Sequence, residues 1–333
     1  MKSHQSIIKK INEYSAGKIP FLLIVDFEME NPVLFQMNEL KDEDIQILFP
    51  NSNMGDATTI QSCDQLQSAA TDIQLSVLHP IPEARYRHGF DYVMQQLKYG
   101  NSYLTNYTGK TEIEMTATLP EIFAAAAATY KIRYKDEWVC FSPECFIKII
   151  ADEIFSFPMK GTIDADLPDA AGVLLADEKE IAEHYTIVDL LRNDLSMVAE
   201  NVVVEKFRYL EEIHSNQKNL LQASSKIKGK LPAGYQNALG ELLFNLLPAG
   251  SVSGAPKIMT TKIIRDSEQQ ARGYYTGVAF YFDGKNVDSC VLIRYIEKSE
   301  GKYFYRSGGG ITVNSEMEKE YQELKDKIYV PVY

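Results

Sequence analysis

Two glutamate pairs, Glu180/Glu183 and Glu320/Glu323, are each spaced three residues apart on a stretch whose pattern predicts helix. Residues i and i+3 share a helix face, so each pair lines one face. Like charges at that spacing repel unless something cationic compensates them. The pairs lie far apart in the chain, so only folding can bring them together. Oxygen-only ligation with few protein ligands suits Mg²⁺, which keeps positions open for water and an anionic substrate. Two solvated helix faces are the alternative on spacing alone.

A chain of 333 residues is long enough for one large core or for two domains of ordinary size. Its 45% hydrophobic and 24% charged residues are those of a soluble globular protein. No apolar run approaches the roughly 18–20 residues of a membrane span. The N-terminal MKSHQSIIKKINEYSAGK lacks the pattern of a signal peptide, so a cytoplasmic location with no membrane partner is expected. Cys63, Cys140, Cys145 and Cys290 form no C-x-x-C, which points to reduced thiols, and the five histidines make no zinc-like cluster. A net charge of −12 argues against nucleic acid as a partner, because phosphates need a basic surface. An acidic protein with an anionic substrate must supply local cations, from Mg²⁺ or from placed Lys and Arg.

Residues 19–49 read as strands, 51–72 as a polar surface loop, 85–99 as helix, and 119–130, with five alanines, as helix. WVCFSPECFIKII and EIFSFPMKG form a hairpin turning at Ala151–Glu153. A three-residue loop there puts Glu144 directly opposite Lys160; a two-residue loop shifts the register by one. Pro158 marks an edge or a bulge. A long helix from Leu174 to Val198 carries Glu180, Glu183 and His184. A strand through NVVVEKFRYLEEI and a short helix at 239–247 follow. Pro256 then sits in the first turn of the next helix. GYYTGVAFYFDGKNVDSCVLIRYIE contains two strands turning at Asp283–Gly284, and KYFYRSGGGI a third. Ser315 and Glu318 predict a capping box for a last helix running to about Val330. Hairpins interleaved with helices, without βαβ regularity, indicate an α+β chain in one unit.

In GSVSGAPK, free backbone N–H groups and a helix start suit a carboxylate or phosphate, with a glycine-rich helix cap as the alternative. Gly308–Gly310 permit close approach of backbone, or make a flexible turn. Lys160, beside Phe155, Phe157 and Met159, is a candidate desolvated nucleophile or else a lysine paired with Glu144. Arg294, ending an apolar strand, needs an anionic partner.

Eight motifs, in the order SPECF, PMKGT, DEKEIAEHYTIVDLLRNDLS, GSVSGAPK, RGYYTG, IRY, GGGI and EYQELKDK, closely resemble the chorismate-utilising enzymes. That family contains anthranilate synthase component I, aminodeoxychorismate synthase component I and the isochorismate synthases. The resemblance covers roughly residues 85–330 and implies one large α+β fold, with two antiparallel sheets packed inside helical layers. Residues 1–84 look like a shortened N-terminal part integral to that fold, and 85–333 the chorismate-binding catalytic region.

The lysine of PMKGT is that of the aminodeoxychorismate branch, where anthranilate synthases have a small residue. The resemblance therefore implies Mg²⁺-dependent amination of chorismate at C4, giving 4-amino-4-deoxychorismate. Glu183 and Glu323 would hold Mg²⁺, with Glu180 and Glu320 beside them. Tyr275 and Arg294 would bind the enolpyruvyl carboxylate. Gly254, Ala255, Gly309 and Gly310, with Ser253, Lys257 and Thr162, would complete the substrate contacts. Lys160 would attack C2 while Glu144 protonates the departing C4 hydroxyl, and ammonia would then add at C4 and expel the lysine. A buried Lys–Glu pair exchanging one proton supplies both the free amine and the acid. With no glutaminase motif in the chain, ammonia is expected from solution or from a separate glutamine amidotransferase subunit.

The sequence departs from the family at Gln222, where many members have histidine, and at Tyr295, where IRT becomes IRY. Asn106 matches a family position and is assigned a structural role. The alternatives are anthranilate synthase component I, an isochorismate-type enzyme, and a silent chorismate-binding scaffold that recruits the amidotransferase.

Overall fold

The computed structural model describes residues 4–50, 73–213 and 219–331. The polar 51–72 stretch and Cys63 lie outside the described residues. Helix α1 (Gln5–Ala16) leads into β1 (Phe21–Val25), β2 (Val33–Gln36) and β3 (Ile45–Leu48). After β4 (Leu75–His79) come α2 (Glu83–Lys98), β5 (Leu104–Met115) and α3 (Leu119–Ala125). Then follow β6 (Tyr130–Tyr134), β7 (Trp138–Ser142), β8 (Cys145–Ile150), β9 (Glu153–Ser156) and β10 (Met159–Asp164). Helices α4 (Ala170–Ala176) and α5 (Glu178–Ser196) precede β11 (Glu200–Ile213) and β12 (Leu220–Lys230). The remainder is α6 (Leu239–Asn245), β13 (Gly254–Ala255), α7 (Lys257–Glu268), β14 (Val278–Phe282), β15 (Val287–Val291), β16 (Tyr295–Ser299), β17 (Lys302–Ile311) and α8 (Met317–Asp326).

These strands make two antiparallel sheets, as the expected α+β class requires. The first runs β10-β12-β9-β8-β15-β14-β1-β2, with β11 on the free side of β12. The second runs β13-β5-β17-β16-β7-β6-β3, with β4 against β5. Strand β1 shows why the sheets stack. Its five residues FLLIV are all buried, and a strand with no polar face must be covered on both sides. Phe21, Leu23 and Val25 point into a core shared with α1, α5 and α6. Leu22 and Ile24 point the other way, against Ile132, Trp138 and Tyr295 of the second sheet. The outer face of the second sheet is covered by α2, α7 and α8 at one end and by α3 at the other.

Several local expectations need correction. The 138–160 hairpin has a two-residue turn, Ala151–Asp152, with both residues at positive φ (49° and 65°), as a type I′ turn demands. The ladder pairs Ile150 with Glu153 and Lys148 with Phe155, so Glu144 does not face Lys160 across it. Pro158 falls in a break between β9 and β10, which run one after the other along β12. The predicted helix at 174–198 is two helices, divided at Asp177, whose side chain caps α5 by accepting from Glu180 N at 2.9 Å. The alanine run leaves the helix after Ala125, because Ala126 packs into the core and Ala127 N bonds to Pro331 O at 2.6 Å. Helix α8 starts one residue later than predicted, with Glu316 in place of Ser315 as its N-cap, and ends at Asp326. Instead of forming a capping box with Glu318, Ser315 donates to Glu320 Oε1 at 2.8 Å.

The segment read as two strands from Gly273 to Glu297 is three, and the extra break carries the site. Arg294 adopts φ 53° between β15 of the first sheet and β16 of the second. Glu144 likewise follows β7 of the second sheet and precedes β8 of the first. The two crossings lie side by side: Phe141 N donates to Arg294 O at 3.1 Å and Val291 N to Glu144 O at 3.2 Å. Where the chain changes sheet twice, the sheets part and a cavity opens.

Candidate active site

A cavity of about 660 Å³ opens at these crossings. It is lined by Glu144, Lys160, Glu183, Tyr275, Arg294, Gly309, Gly310 and Glu323, brought together from seven separate stretches of the chain. Strand β10 supplies Lys160, α5 supplies Glu183 and α8 supplies Glu323.

Lys160 Nζ lies 2.7 Å from Glu183 Oε2. Burial pulls its pKa down, but the carboxylates of Glu183, Glu180 and Glu323 outweigh that and hold it above the ordinary lysine value. Glu144 is the opposite case. Burial raises its carboxyl above the usual range, against a lowering by Ser251 and by the charge of Lys327. Ser251 Oγ donates to Glu144 Oε1 at 2.5 Å. The cavity thus contains a half-buried carboxyl whose pKa is raised by desolvation and a lysine whose pKa is raised by acidic neighbours.

The two acidic pairs approach from different helices. Glu183, Glu180 and Glu323 all act on Lys160, and Glu320 and Glu323 both close on Gly309. A Cβ at Gly309 would sit 3.4 Å from an oxygen of each. Lys327 Nζ is 2.6 Å from Glu323 Oε1 and donates to Gly308 O at 2.7 Å. Among the described residues no three carboxylate, imidazole or thiol groups are arranged to hold a metal. The donor chemistry nonetheless fits Mg²⁺, since oxygen-only carboxylates converge from α5 and α8 and their resident countercharges are two lysines. Glu183 and Glu323 would hold the ion once Lys160 and Lys327 give up those contacts.

Arg294 lines the cavity with its guanidinium 4.8 Å above the Tyr329 ring and one N–H to Lys327 O at 3.3 Å. Tyr275 is buried, and burial pushes its hydroxyl up to about 12. Tyr295 packs between Trp138, on which it stacks (5.3 Å), and Tyr275, to which its ring is tilted (5.8 Å). The unusual IRY tyrosine is therefore a packing residue.

Other expected contacts do not line the cavity. Gly254 pairs with Thr105 in β13, where φ is 134° and a Cβ would lie 1.8 Å from Leu104 O. This glycine is required by close backbone approach. Ala255 pairs with Leu104, and Ser253 Oγ bonds to Ala249 O at 2.8 Å. Lys257 pairs with Asp194 at 2.8 Å. Thr162 lies opposite Gln222 in the β10–β12 ladder, and Gln222 is likewise outside the cavity. Glu180 and Glu320 do not line the cavity, although Glu180 acts on Lys160 and Glu320 lies beside Gly309. His184 is buried on Ser225 Oγ at 2.7 Å, and burial lowers its pKa, so it is a neutral packing histidine.

Ser251 and Arg272 were not foreseen at the site, and Asn106 was assigned only a structural role. Asn106 lines the cavity, and its buried Oδ1 has no hydrogen-bond partner among the described residues. Ser251 lies inside the quoted GSVSGAPK motif. Arg272, the first residue of RGYYTG, forms a buried ion pair with Glu268 at 2.6 Å, both side chains at most 1% exposed. Its remaining N–H groups reach Val252 O (2.8 Å), Asn106 O (2.8 Å) and Thr276 Oγ1 (3.2 Å), all on cavity-lining residues.

The sequence profile of the chorismate binding enzyme family matches residues 27–332, which extends well before residue 85. An uncharacterized PabA-like protein of Haemophilus influenzae is 46% identical over 98% of this chain and 97% of its own length. Anthranilate synthase component 1 of Arthrobacter globiformis is 30% identical over 82% of this chain, which spans 54% of that protein. Among solved structures, the menaquinone-specific isochorismate synthase of Escherichia coli superposes with a TM-score of 0.71 at 15% identity, covering 98% of this chain and 80% of that one. Anthranilate synthase component I of Streptococcus pneumoniae gives 0.67 at 20% identity, covering 92% and 79%. Both share the two-sheet fold. No helix among the described residues is long and apolar enough to cross a membrane. The chain belongs to the chorismate binding enzyme family.

Proposed function

We propose that this chain aminates chorismate at C4, giving 4-amino-4-deoxychorismate, with Lys160 as nucleophile and Glu144 as acid. The observation that carries the reading is that these two residues, Glu144 at the crossing before β8 and Lys160 on β10, line one cavity with Arg294 and the two acidic helices.

The steps follow from the residues. Arg294 and Tyr275 hold the enolpyruvyl carboxylate and so fix the ring over Lys160. The Lys160 amine adds to C2, the diene shifts, and the C4 hydroxyl departs as water with the proton of Glu144. The carboxylate left at Glu144 takes the proton released by the new C2–N bond. Ammonia then adds at C4, the diene shifts back, and Lys160 leaves C2 as an amine after regaining a proton. Lys160 gives its ammonium proton to solvent before the first step, once Glu183, whose carboxylate pairs with it, no longer holds the charge in place. Mg²⁺ at Glu183 and Glu323 would supply positive charge for the ring carboxylate of chorismate.

In this reading ammonia comes from solution or from a separate glutamine amidotransferase subunit. The 30% identity to an anthranilate synthase component 1 favours amination at C2 as the second reading. Incubating the protein with chorismate, Mg²⁺ and an ammonium salt and identifying the product separates the two. The 4-amino product supports the proposal. Anthranilate or isochorismate contradicts it, and binding of chorismate without turnover indicates a scaffold.

A further inference from the structure

We infer that Ser251 is the positioning residue of Glu144, and that the loop between α6 and α7 is built to hold its hydroxyl in one place. The inference rests on the reading of Glu144 as the acid. Glu144 lies outside any strand, at the crossing between the sheets, and its side chain has torsions that the ladder does not fix. Ser251 Oγ donates to its Oε1 at 2.5 Å. A carboxyl oxygen that accepts this bond is the carbonyl-like one, so the acidic proton resides on Oε2. One serine therefore selects both the orientation of the carboxyl and the oxygen that delivers the proton.

A hydroxyl can do this only if its own backbone is fixed, and the loop is pinned at both ends and in the middle. Lys257 Nζ reaches back to Leu246 O at 2.8 Å and to Asp194 Oδ2 on α5 at 2.8 Å. Ser253 Oγ bonds to Ala249 O at 2.8 Å, and Arg272 holds Val252 O at 2.8 Å. Gly250, just before Ser251, packs so closely on α5 that a Cβ would lie 2.7 Å from Asp194 Oδ2. These ties also reassign Lys257. Its ammonium is taken up by Asp194 and Leu246, so it acts on the site through the loop and not through the substrate.

The test is a double-mutant cycle with Ser251→Ala, Ser251→Thr, Glu144→Gln and the Ser251→Ala/Glu144→Gln pair. It reads kcat and KM for chorismate with ammonium, together with chorismate Kd by calorimetry. Ser251→Ala should lower kcat by about tenfold or more and leave KM and Kd within about twofold. Ser251→Thr, which keeps the hydroxyl, should restore kcat. In the Glu144→Gln background, Ser251→Ala should cost nothing further. A KM rise at unchanged kcat, failure of threonine to rescue, or a full additional loss in the Glu144→Gln background overturns the inference while leaving the proposed reaction standing. Glu144→Gln with undiminished kcat overturns the acid assignment itself, and the inference with it.

Discussion

Lys160 Nζ and Glu183 Oε2 are 2.7 Å apart, so the proposed nucleophile and a proposed metal ligand neutralise each other across β10 and α5. The same relationship recurs at Lys327 and Glu323, 2.6 Å apart. Each lysine must yield its carboxylate for a cation to bind. The Lys160 amine then loses its nearest counter-charge, and burial favours the neutral form.

Metal binding should therefore be measurable without turnover. Mg²⁺ binding only the folded state should stabilise the protein by about 2.7 kcal/mol at a hundredfold excess over Kd. Thermal denaturation with and without Mg²⁺ reads this directly. Glu183→Gln and Glu323→Gln should remain folded, lose the Mg²⁺-induced shift in Tm and lose activity. Glu323→Gln with an unchanged shift contradicts the assignment.

The pH dependence of adduct formation should report Glu144. Its folded pKa is raised by burial, so the acid form persists above the ordinary carboxylate range and is lost as pH rises through the raised value. Release of water from C4, followed without ammonia, should slow on that limb. With ammonium present the overall rate should first rise with pH, because NH₃ is the nucleophile. Glu144→Gln should abolish the falling limb together with most of the rate. A limb that survives in Glu144→Gln belongs to another group.

Arg272 should matter more for the wall of the cavity than for the substrate. Arg272→Met leaves Glu268 charged and buried, which should cost about 3–5 kcal/mol in urea unfolding. Arg272→Met/Glu268→Leu removes both charges and should recover much of the stability. A loss below about 1 kcal/mol for Arg272→Met would show that the pair is not an anchor.

Much of this was legible in the chain because it depends on periodicity. The faces of α5 and α8, the hairpin at 138–160 and the turn after β14 follow from spacing and turn residues. The one-residue register at Ala151–Asp152 was not legible, since neither residue is the glycine or asparagine that marks a type I′ turn. Arg294 gave no sign of its left-handed backbone, which depends on the change of sheet. Lys257 resembled an anion ligand because its partner, Asp194, lies on another helix, and no local pattern joins them. Ser251 sat in a quoted motif, but only the fold brings Glu144 to it. Glu144, Lys160, Glu183, Tyr275, Arg294, Gly309, Gly310 and Glu323 were foreseen and line the cavity; the residues that hold them in place depend on contacts distant in sequence.

The most direct test of the account is the fate of chorismate at Lys160. In the absence of ammonia, the wild-type protein with chorismate and Mg²⁺ should accumulate an adduct, and peptide mass spectrometry should find the mass of chorismate less water on Lys160 and not on Lys148 or Lys257. Lys160→Ala should form no adduct, and with ammonium its residual product should shift towards the 2-amino isomer, since C2 is then open to ammonia. If Lys160→Ala makes the 4-amino product at an undiminished rate, Lys160 is only a counter-ion of Glu183, and the proposed reaction loses its nucleophile.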